Sequence, residues 1–567
     1  MNHRPLSRRD FIKTAAIVAG ASQGAPWLAS CASSSTASMT VPSGRRIAAG
    51  PYQPNWTSFG ASYRCPDWFR DAKFGMWAHW TAQCVPEQGD WYAREMYMQG
   101  KPDYAHHLAH YGHPTKFGFM EIDNLWKADE WSPQELMERY KRAGAKYFFA
   151  LANHHDNFDN YDSAHHAWNS LNVGPRKDIV GTWARIAREN GLRFGVTNHS
   201  AHAWHWFQTA YGYDQVGPLA GRRYDAYNLT KADGAGTWWE GLDPQDLYTG
   251  RNRIMPDGIT SLAAAAAFDE TIQWTEEVPA NNPAFVDNWF LRCQDLIDKY
   301  HPDVLYFDDI GLPLGQAGLD IAAHFYNASL GWNSGSMEVV LNSKLMPPEV
   351  RSALVEDIER GVSGEVRPAP WQTDTCIGSW HYQRSLFENH KYKTTEQVTQ
   401  MLVDIVSKNG NLMLNIPLRG NGTIDPDEVA FLDGMARWIA VNGEGIYGTR
   451  PWTVYGEGPS VTGPQIKGLY GGSQDVRPYT SEDVRFTAKG DALYAFMLVW
   501  PSSGSTTLRT LSSQSPQLAG RKVTDVALLG HPGPLKWTQS GGGLRVELPD
   551  MPPTEHATTL RIRGVTS

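Results

Sequence analysis

Four times along this chain a helical pattern stops at a Gly or Pro and gives way to a short apolar run that ends at polar or ionisable residues. Ser132-Pro133-Gln134-Glu135 has the pattern of a capping box with Pro at the first helical position. Its helix is expected to reach about Ala143, stop at Gly144 and lead into a strand from Lys146 to Ala152. A second helix, about Ile179 to Asn190, precedes Gly191 and a strand from Leu192 to Thr197. The third, Asn282 to Tyr300, is halted by His301-Pro302 and followed by Val304-Leu305-Tyr306-Phe307-Asp308-Asp309, an apolar run closed by two acids. The fourth starts near Thr394, with Gln397 three residues on, ends near Asn409-Gly410 and yields Leu412 to Ile416. One more strand, Lys73 to Ala78, ends in His79-Trp80 without a helix ahead of it.

Unbroken apolar runs are what parallel strands covered on both faces require. The groups just past their C-terminal ends, among them His79, His154-His155, His199 and Asp308-Asp309, would share one rim. A rim furnished by many strand ends points to a (β/α)8-like TIM barrel rather than a doubly wound sheet, where the switch point alone is so equipped. No Gly-rich phosphate loop follows an early strand, which sets aside a dinucleotide fold. Between about 207 and 282 the helical period fades into Gly, Asp, Trp and Tyr around the run Ala263 to Ala267; this reads as a loop insertion over the strand-end face, with a short helix near the alanines. Asp425-Pro426-Asp427-Glu428 opens another helix to about Val441. After Trp452 come short alternating segments, Leu493 to Trp500, Val523 to Leu529, Leu544 to Leu548 and Thr559 to Arg563, as expected of a C-terminal antiparallel β-sandwich. The organisation expected is a catalytic barrel over 51–450 and a sandwich over 451–567.

The start of the chain reads as an address. Ser7-Arg8-Arg9-Asp10-Phe11-Ile12-Lys13 resembles a twin-arginine export signal, and Leu28-Ala29-Ser30-Cys31 resembles a lipobox, so 1–31 is expected to be a signal and 32–50 a flexible tether. The protein is then exported and periplasmic, with either a lipid on Cys31, through which any membrane contact is made, or an ordinary cleavage near Ala29. A net charge of -9 without a basic block argues against nucleic acid as a partner. Five cysteines, none at metal-ligand spacing, leave room for a bridge such as Cys65 with Cys84 but make no disulfide scaffold.

The rim candidates are His79, Asp90, Trp91, His154, His155, His199, Asp308, Asp309, Glu359, Glu365 and Trp380. A catalytic metal is not expected: His154 and His155 point opposite ways in an extended chain, and His199, His202 and His205 form no HExxH-type motif. Nor does a Gly-x-Ser-x-Gly elbow occur. No cofactor is implied. What remains is paired-carboxylate chemistry, and 23 Trp with 24 Tyr fit sugar recognition, because an indole face matches the C–H face of a pyranose.

Several segments together resemble glycoside hydrolase family 29, the α-L-fucosidases: Trp68 to Gly75, His79-Trp80, Val85-Pro86, Asp90-Trp91-Tyr92, Ala150 to Phe158, Trp168 to Asp178, Gly378-Ser379-Trp380, Val406 to Leu412, and Val441 to Glu444 with Trp452. The resemblance implies a retaining exo-α-L-fucosidase acting on fucosylated oligosaccharides or glycoconjugates. It implies Asp308 as nucleophile, with Tyr306-Phe307-Asp308 standing where the family has Trp-Phe-Asp-Gly, and Glu359 as acid/base, with Glu365 as the other candidate. His79, Asp90, Trp91, His154, His155, Tyr306, Lys344 and Trp380 fall on substrate-binding positions, and Glu356 is expected on a solvated loop face. Three residues depart from the pattern: Asp90 for Glu, Lys344 for Arg and Asp309 for Gly. These departures keep open an inactive fucose-binding protein, and a roomier wall near Trp380 would favour an α-L-galactosidase-like hydrolase. Asp309 is expected either to face away from Asp308 or to raise its pKa.

Overall fold

A computed structural model of the chain describes residues 37–468 and 472–566. The signal and Cys31 lie outside the described residues. Eight parallel strands close into a barrel in chain order: β1 Phe74–Ala78, β2 Tyr147–Asn153, β3 Arg193–Asn198, β4 Val304–Ile310, β5 Val340–Lys344, β6 Val355–Asp357, β7 Trp371–Cys376 and β8 Gly410–Asn415, which pairs back onto β1. The principal covering helices are α1 Pro133–Arg142, α2 Ile179–Glu189, α3 Pro283–Tyr300, α4 Gln316–Trp332, α5 Thr395–Ser407 and α6 Pro426–Asn442. Thr394 with Gln397 and Asp425 with Glu428 form reciprocal capping boxes on α5 and α6, whereas Ser132 makes no side-chain cap on α1. Around β5, β6 and β7 the barrel is irregular: a 3-10 turn, Pro348–Ala353, joins β5 to β6, and Gly361–Val362 after β6 pairs with Ser473–Gln474 from the C-terminal region.

Side chains alternate along each strand, and the alternation sorts the core. Trp77, Tyr147, Phe149, Leu151, Val304, Tyr306, Val340, Val355 and Met413 pack together inside the barrel. Their neighbours Met76, Phe148, Ala150, Leu305, Phe307 and Leu341 join the larger core under the helices. Gly75 is small because the Tyr147 ring fills its side of the interior; a Cβ there would lie 2.2 Å from that ring.

Three sequence expectations need revision. From Ser38 the expected tether is structured: Ser38–Thr40 pairs with Arg46–Ala48, Ile47 is buried, and Arg45 bonds Asp287 and Asp320 at 2.7 and 3.2 Å. The 207–282 insertion is built from short helices, including Phe207–Tyr211, Asp225–Asn228, Pro244–Leu247 and Leu262–Thr271, and buries Tyr211, Tyr224, Leu247 and Tyr248. Aromatics spaced through the segment supply a core that periodicity does not reveal. Cys65 and Cys84 are free thiols that lie before and after β1, so the bridge that the sequence left room for is not formed.

The C-terminal domain is an antiparallel sandwich. One sheet contains Arg450–Glu457, Val484–Lys489, Ala492–Met497, Thr558–Arg563 and Asp525–Leu528; the other contains Ser505–Leu508, Gly543–Glu547 and Trp537–Ser540. Its own apolar core includes Phe486, Leu493, Leu544 and Leu560. It is clamped to the barrel by a buried charge cluster: Asp404 of α5 accepts from Arg485 Nε at 2.6 Å and Lys408 Nζ at 2.7 Å. Burial alone would raise Asp404, but the two cations outweigh it and hold the carboxyl well below the usual range. Asp404→Ala leaves two buried cations without their anion, and equilibrium urea unfolding should show a loss of about 3–5 kcal/mol.

Candidate active site

A cavity of about 800 Å³ opens at the C-terminal ends of the barrel strands. The alternation that fills the interior also furnishes this cavity. Trp77 is followed two residues on by His79, Tyr306 by Asp308, and Asp357 by Glu359. Lys344 ends β5 on the same inward face as Val340. The structure thus brings together all the residues expected to bind or react: Asp308, Glu359, His79, Asp90, Trp91, His154, His155, Tyr306, Lys344 and Trp380 all line the cavity.

At its centre Lys344 Nζ donates to Asp308 Oδ1 and to Glu359 Oε2. An N–H···O contact spans no more than about 3 Å, so two oxygens held by one nitrogen lie within about 6 Å of each other, compatible with the roughly 5 Å of a retaining glycosidase pair. The other oxygen of Asp308 accepts from His199 Nδ1 at 3.0 Å and lies 3.5 Å from His155 Nε2. Burial would push Asp308 up, but the Lys344 charge and the imidazoles hold it well below the usual carboxylate range. Burial would likewise lower Lys344, and Asp308, Glu359 and Asp374 more than reverse it, so the ammonium keeps its charge. Beneath them, Tyr306 donates its hydroxyl to Asp374 Oδ2 at 3.1 Å, and burial with the neighbouring Asp357 pushes Asp374 well above the usual range. Asp374 and Asp308 are thus pushed in opposite directions.

One wall is histidine. Gln83 donates to His154 Nδ1 at 2.8 Å and to Asp156 at 2.8 Å, which fixes the tautomer with the His154 proton on Nε2. His155 Nδ1 lies 2.8 Å from the His199 carbonyl. Neither ring nitrogen of His79 has a protein partner, although the ring is buried among Trp77, Trp380, His154, His199 and His381. Burial pushes His199 down to about 4 and His79 and His154 well below their usual value, so the wall is neutral at neutral pH. Ring nitrogens in His79/His154/His381 and in His154/His155/His199 lie within 4.8 Å of one another, a spacing a metal could use. His381 is already committed, to Thr81 at 3.1 Å and Asp90 at 3.3 Å, and in the second group the Nδ1 atoms of all three rings are taken by Gln83, the His199 carbonyl and Asp308. The free nitrogens suit sugar hydroxyls better than a coordination sphere.

Asp90 lines the cavity and also braces a neighbouring loop. Its carboxylate accepts from Ser379 Oγ at 2.9 Å, Trp380 N at 3.2 Å and His381 N at 2.8 Å, and so holds the loop that carries Trp380 over the cavity. Trp380 packs between Trp77 and the Arg360 guanidinium, at 5.3 and 5.0 Å. Trp91 adopts a left-handed backbone, φ 67°, an arrangement costly for a bulky residue and one that aims its indole into the cavity. Glu365 is exposed and does not line the cavity. Glu356 is buried rather than solvated, because Arg351 and Arg367 reach it at 3.0 and 2.6 Å. His381, Asp357, Asp374 and Trp274 are the lining or supporting groups that sequence reasoning missed; alternation back from Glu359 would have found Asp357, and nothing local marks Trp274.

Asp308 and Asp309 face opposite ways. Asp309 follows the outward set Leu305 and Phe307, and its Oδ1 pairs with His202 Nε2 at 2.9 Å. Burial would lower His202, but Asp309 raises it to about 9, while burial lifts the adjacent Glu276 to about 7.

The chain matches the Alpha-L-fucosidase family model over residues 39–444 and the Alpha-L-fucosidase C-terminal domain model over 477–563. It is 27% identical to human tissue alpha-L-fucosidase over 531 residues, covering 91% of this chain and 92% of that protein. Against the Branchiostoma floridae alpha-L-fucosidase the identity is 25% over 528 residues, covering 91% and 96%. Among solved structures it resembles the Thermotoga maritima alpha-fucosidase in complex with fucose, with a TM-score of 0.63, 24% identity and coverage of 90% and 99%. That last likeness speaks for the fold.

The His202–Asp309 pair carries a pH signature. A histidine raised from 6.5 to about 9 on folding contributes stability that is full below pH 6.5 and is lost as pH rises through 9. Thermal melts of wild type and Asp309→Asn should therefore differ most near pH 6.5, on the order of 3 kcal/mol, and converge above pH 9.

Proposed function

Since the chain belongs to the α-L-fucosidase family of glycoside hydrolases, we propose that it is a retaining exo-α-L-fucosidase that releases terminal fucose by double displacement. The observation that supports this most is the shared grip of Lys344 on Asp308 and Glu359 at the floor of a sugar-sized cavity. Asp308 is the nucleophile: its ionised carboxylate attacks the anomeric carbon as the glycosidic C–O bond breaks. Glu359 is the acid/base, giving its proton to the leaving oxygen in the first step. In the second it takes a proton from the water that displaces Asp308 from the glycosyl ester.

The ring hydroxyls go to the imidazole nitrogens of His79, His154 and His155, with Trp91 and Trp380 covering the apolar faces of the sugar. Asp90 acts through the 379–381 loop, and Tyr306 through Asp374 and the packing under the nucleophile. Export through the Ser7–Lys13 signal, with a lipid on Cys31, would place the enzyme in the periplasm among fucosylated oligosaccharides and glycoconjugates.

Asp308→Gly should lower turnover of an aryl α-L-fucoside by on the order of 10⁴-fold, and added azide should restore turnover with inverted product, as a missing nucleophile requires. Glu359→Ala should cost about 10²–10⁴-fold on a substrate with a poor leaving group and far less on a dinitrophenyl fucoside. Glu365→Ala should leave both rates near wild type; a large loss there would reassign the acid. Lys344→Met removes the charge that keeps Asp308 ionised, so the acid limb of the kcat/KM profile should move to higher pH.

A further inference from the structure

The cavity has two exposed lining residues, and both are apolar. Trp274 is 38% exposed and Leu345 40%, while Trp77, His79, His154, His155, His199 and Tyr306 are buried in its depth. If the fucose ring occupies that depth, as the proposed function has it, whatever is attached to the leaving oxygen must exit past the mouth. Trp274 comes from the 207–282 insertion, just beyond its alanine-rich helix.

The indole is held on several sides. Its Nε1–H donates to Glu276 Oε1 at 2.8 Å. Its ring lies against the His202 imidazole with centroids 3.8 Å apart and planes 30° apart, and meets the His155 ring edge-on at 5.4 Å. His202 is itself fixed between Asp309, at 2.9 Å, and the Thr275 carbonyl, at 3.1 Å from its Nδ1. Through His155, which lies 3.5 Å from Asp308, the indole stands one ring away from the reacting carboxylate. An exposed indole would ordinarily lose rotamer freedom when it binds; here that loss is met in advance by Glu276 and the Asp309–His202 pair. Leu345, in a left-handed backbone at φ 50° immediately after Lys344, adds a second apolar group at the mouth.

We propose that Trp274, with Leu345, forms the platform for the leaving group, and that the leaving group is a second sugar ring whose C–H face stacks on the indole. Asp309, through His202, is a positioning residue for that platform. This rests on the fucosidase reading and adds to it the site that selects the substrate. A flat apolar platform discriminates by ring face and linkage direction rather than by charge, so neutral pyranoses are preferred over anionic aglycones.

The test compares two substrates that share the fucosyl group: an α-L-fucosyl-N-acetylglucosamine disaccharide, which has a ring to stack, and α-L-fucosyl fluoride, which has none. For Trp274→Ala the ratio of kcat/KM for the disaccharide to that for the fluoride should fall about tenfold, mainly through KM, and Trp274→Phe should recover part of it. Turnover of the fluoride by the variant also reports that the site is folded. A ratio unchanged by Trp274→Ala, with both substrates turned over, overturns the platform and leaves the fucosidase reading standing. Failure of the wild type to cleave either substrate overturns the fucosidase reading itself.

Discussion

The Lys344 ammonium stands among four carboxyl groups delivered by three neighbouring strand ends, and those acids meet the cost of burial in different ways. Asp308 and Glu359 are each bonded directly to the ammonium. Asp374, pushed well above the usual carboxylate range, accepts from the Tyr306 hydroxyl, while Asp357 accepts from Gln372 and from the Asp374 N–H. A cation withdrawn from water is tolerated where anions surround it, and anions this close are tolerated where a cation divides them or a proton neutralises one of them. Closing the barrel puts β4, β5, β6 and β7 side by side, so the fold itself brings these groups into range.

That arrangement separates two chemical states among side chains of the same type. Asp308 is pulled well below the usual carboxylate range and Asp374 pushed well above it, although both are buried and both are aspartates. The difference lies in partners: Lys344 and His199 for one, Asp357 and a tyrosine hydroxyl for the other. The histidine wall beside them is kept neutral by burial, which leaves nitrogens suited to neutral hydroxyls rather than to anions. The Lys344 cluster lies at the floor of the cavity, the neutral histidines on its wall, and the exposed apolar groups Trp274 and Leu345 at its mouth.

The acid that follows Asp308 in the chain is turned to the other face of the strand by the pleat. Asp309 shares the outward face with Leu305 and Phe307, and there it pairs with His202 instead of competing with Asp308 for Lys344. Its position in the strand, not its chemistry, decides its role. The same strand thus serves the floor of the cavity from one face and the insertion that borders the mouth from the other.

Much of this was legible before the fold was known. Runs such as Tyr147–Asn153 and Val304–Ile310, each following a helix and each ending in polar groups, specified a barrel rim, because hydrophobic period and chain punctuation are local properties. Lying at those ends made Asp308 and the histidines candidates, and the family resemblance gave them their expected roles. The exposure of Glu365, the loop-holding contacts of Asp90, the burial of Glu356 between two arginines and the placement of Trp274 did not follow. β6 is three residues long, too short to show a period, and the insertion folds around scattered aromatics with no repeat. Each of those outcomes depends on a partner distant in the chain. The sequence alone determined which residues end strands and which way each strand's residues alternate; the closed tertiary structure decided which of those ends meet, because only there are the distances between them set.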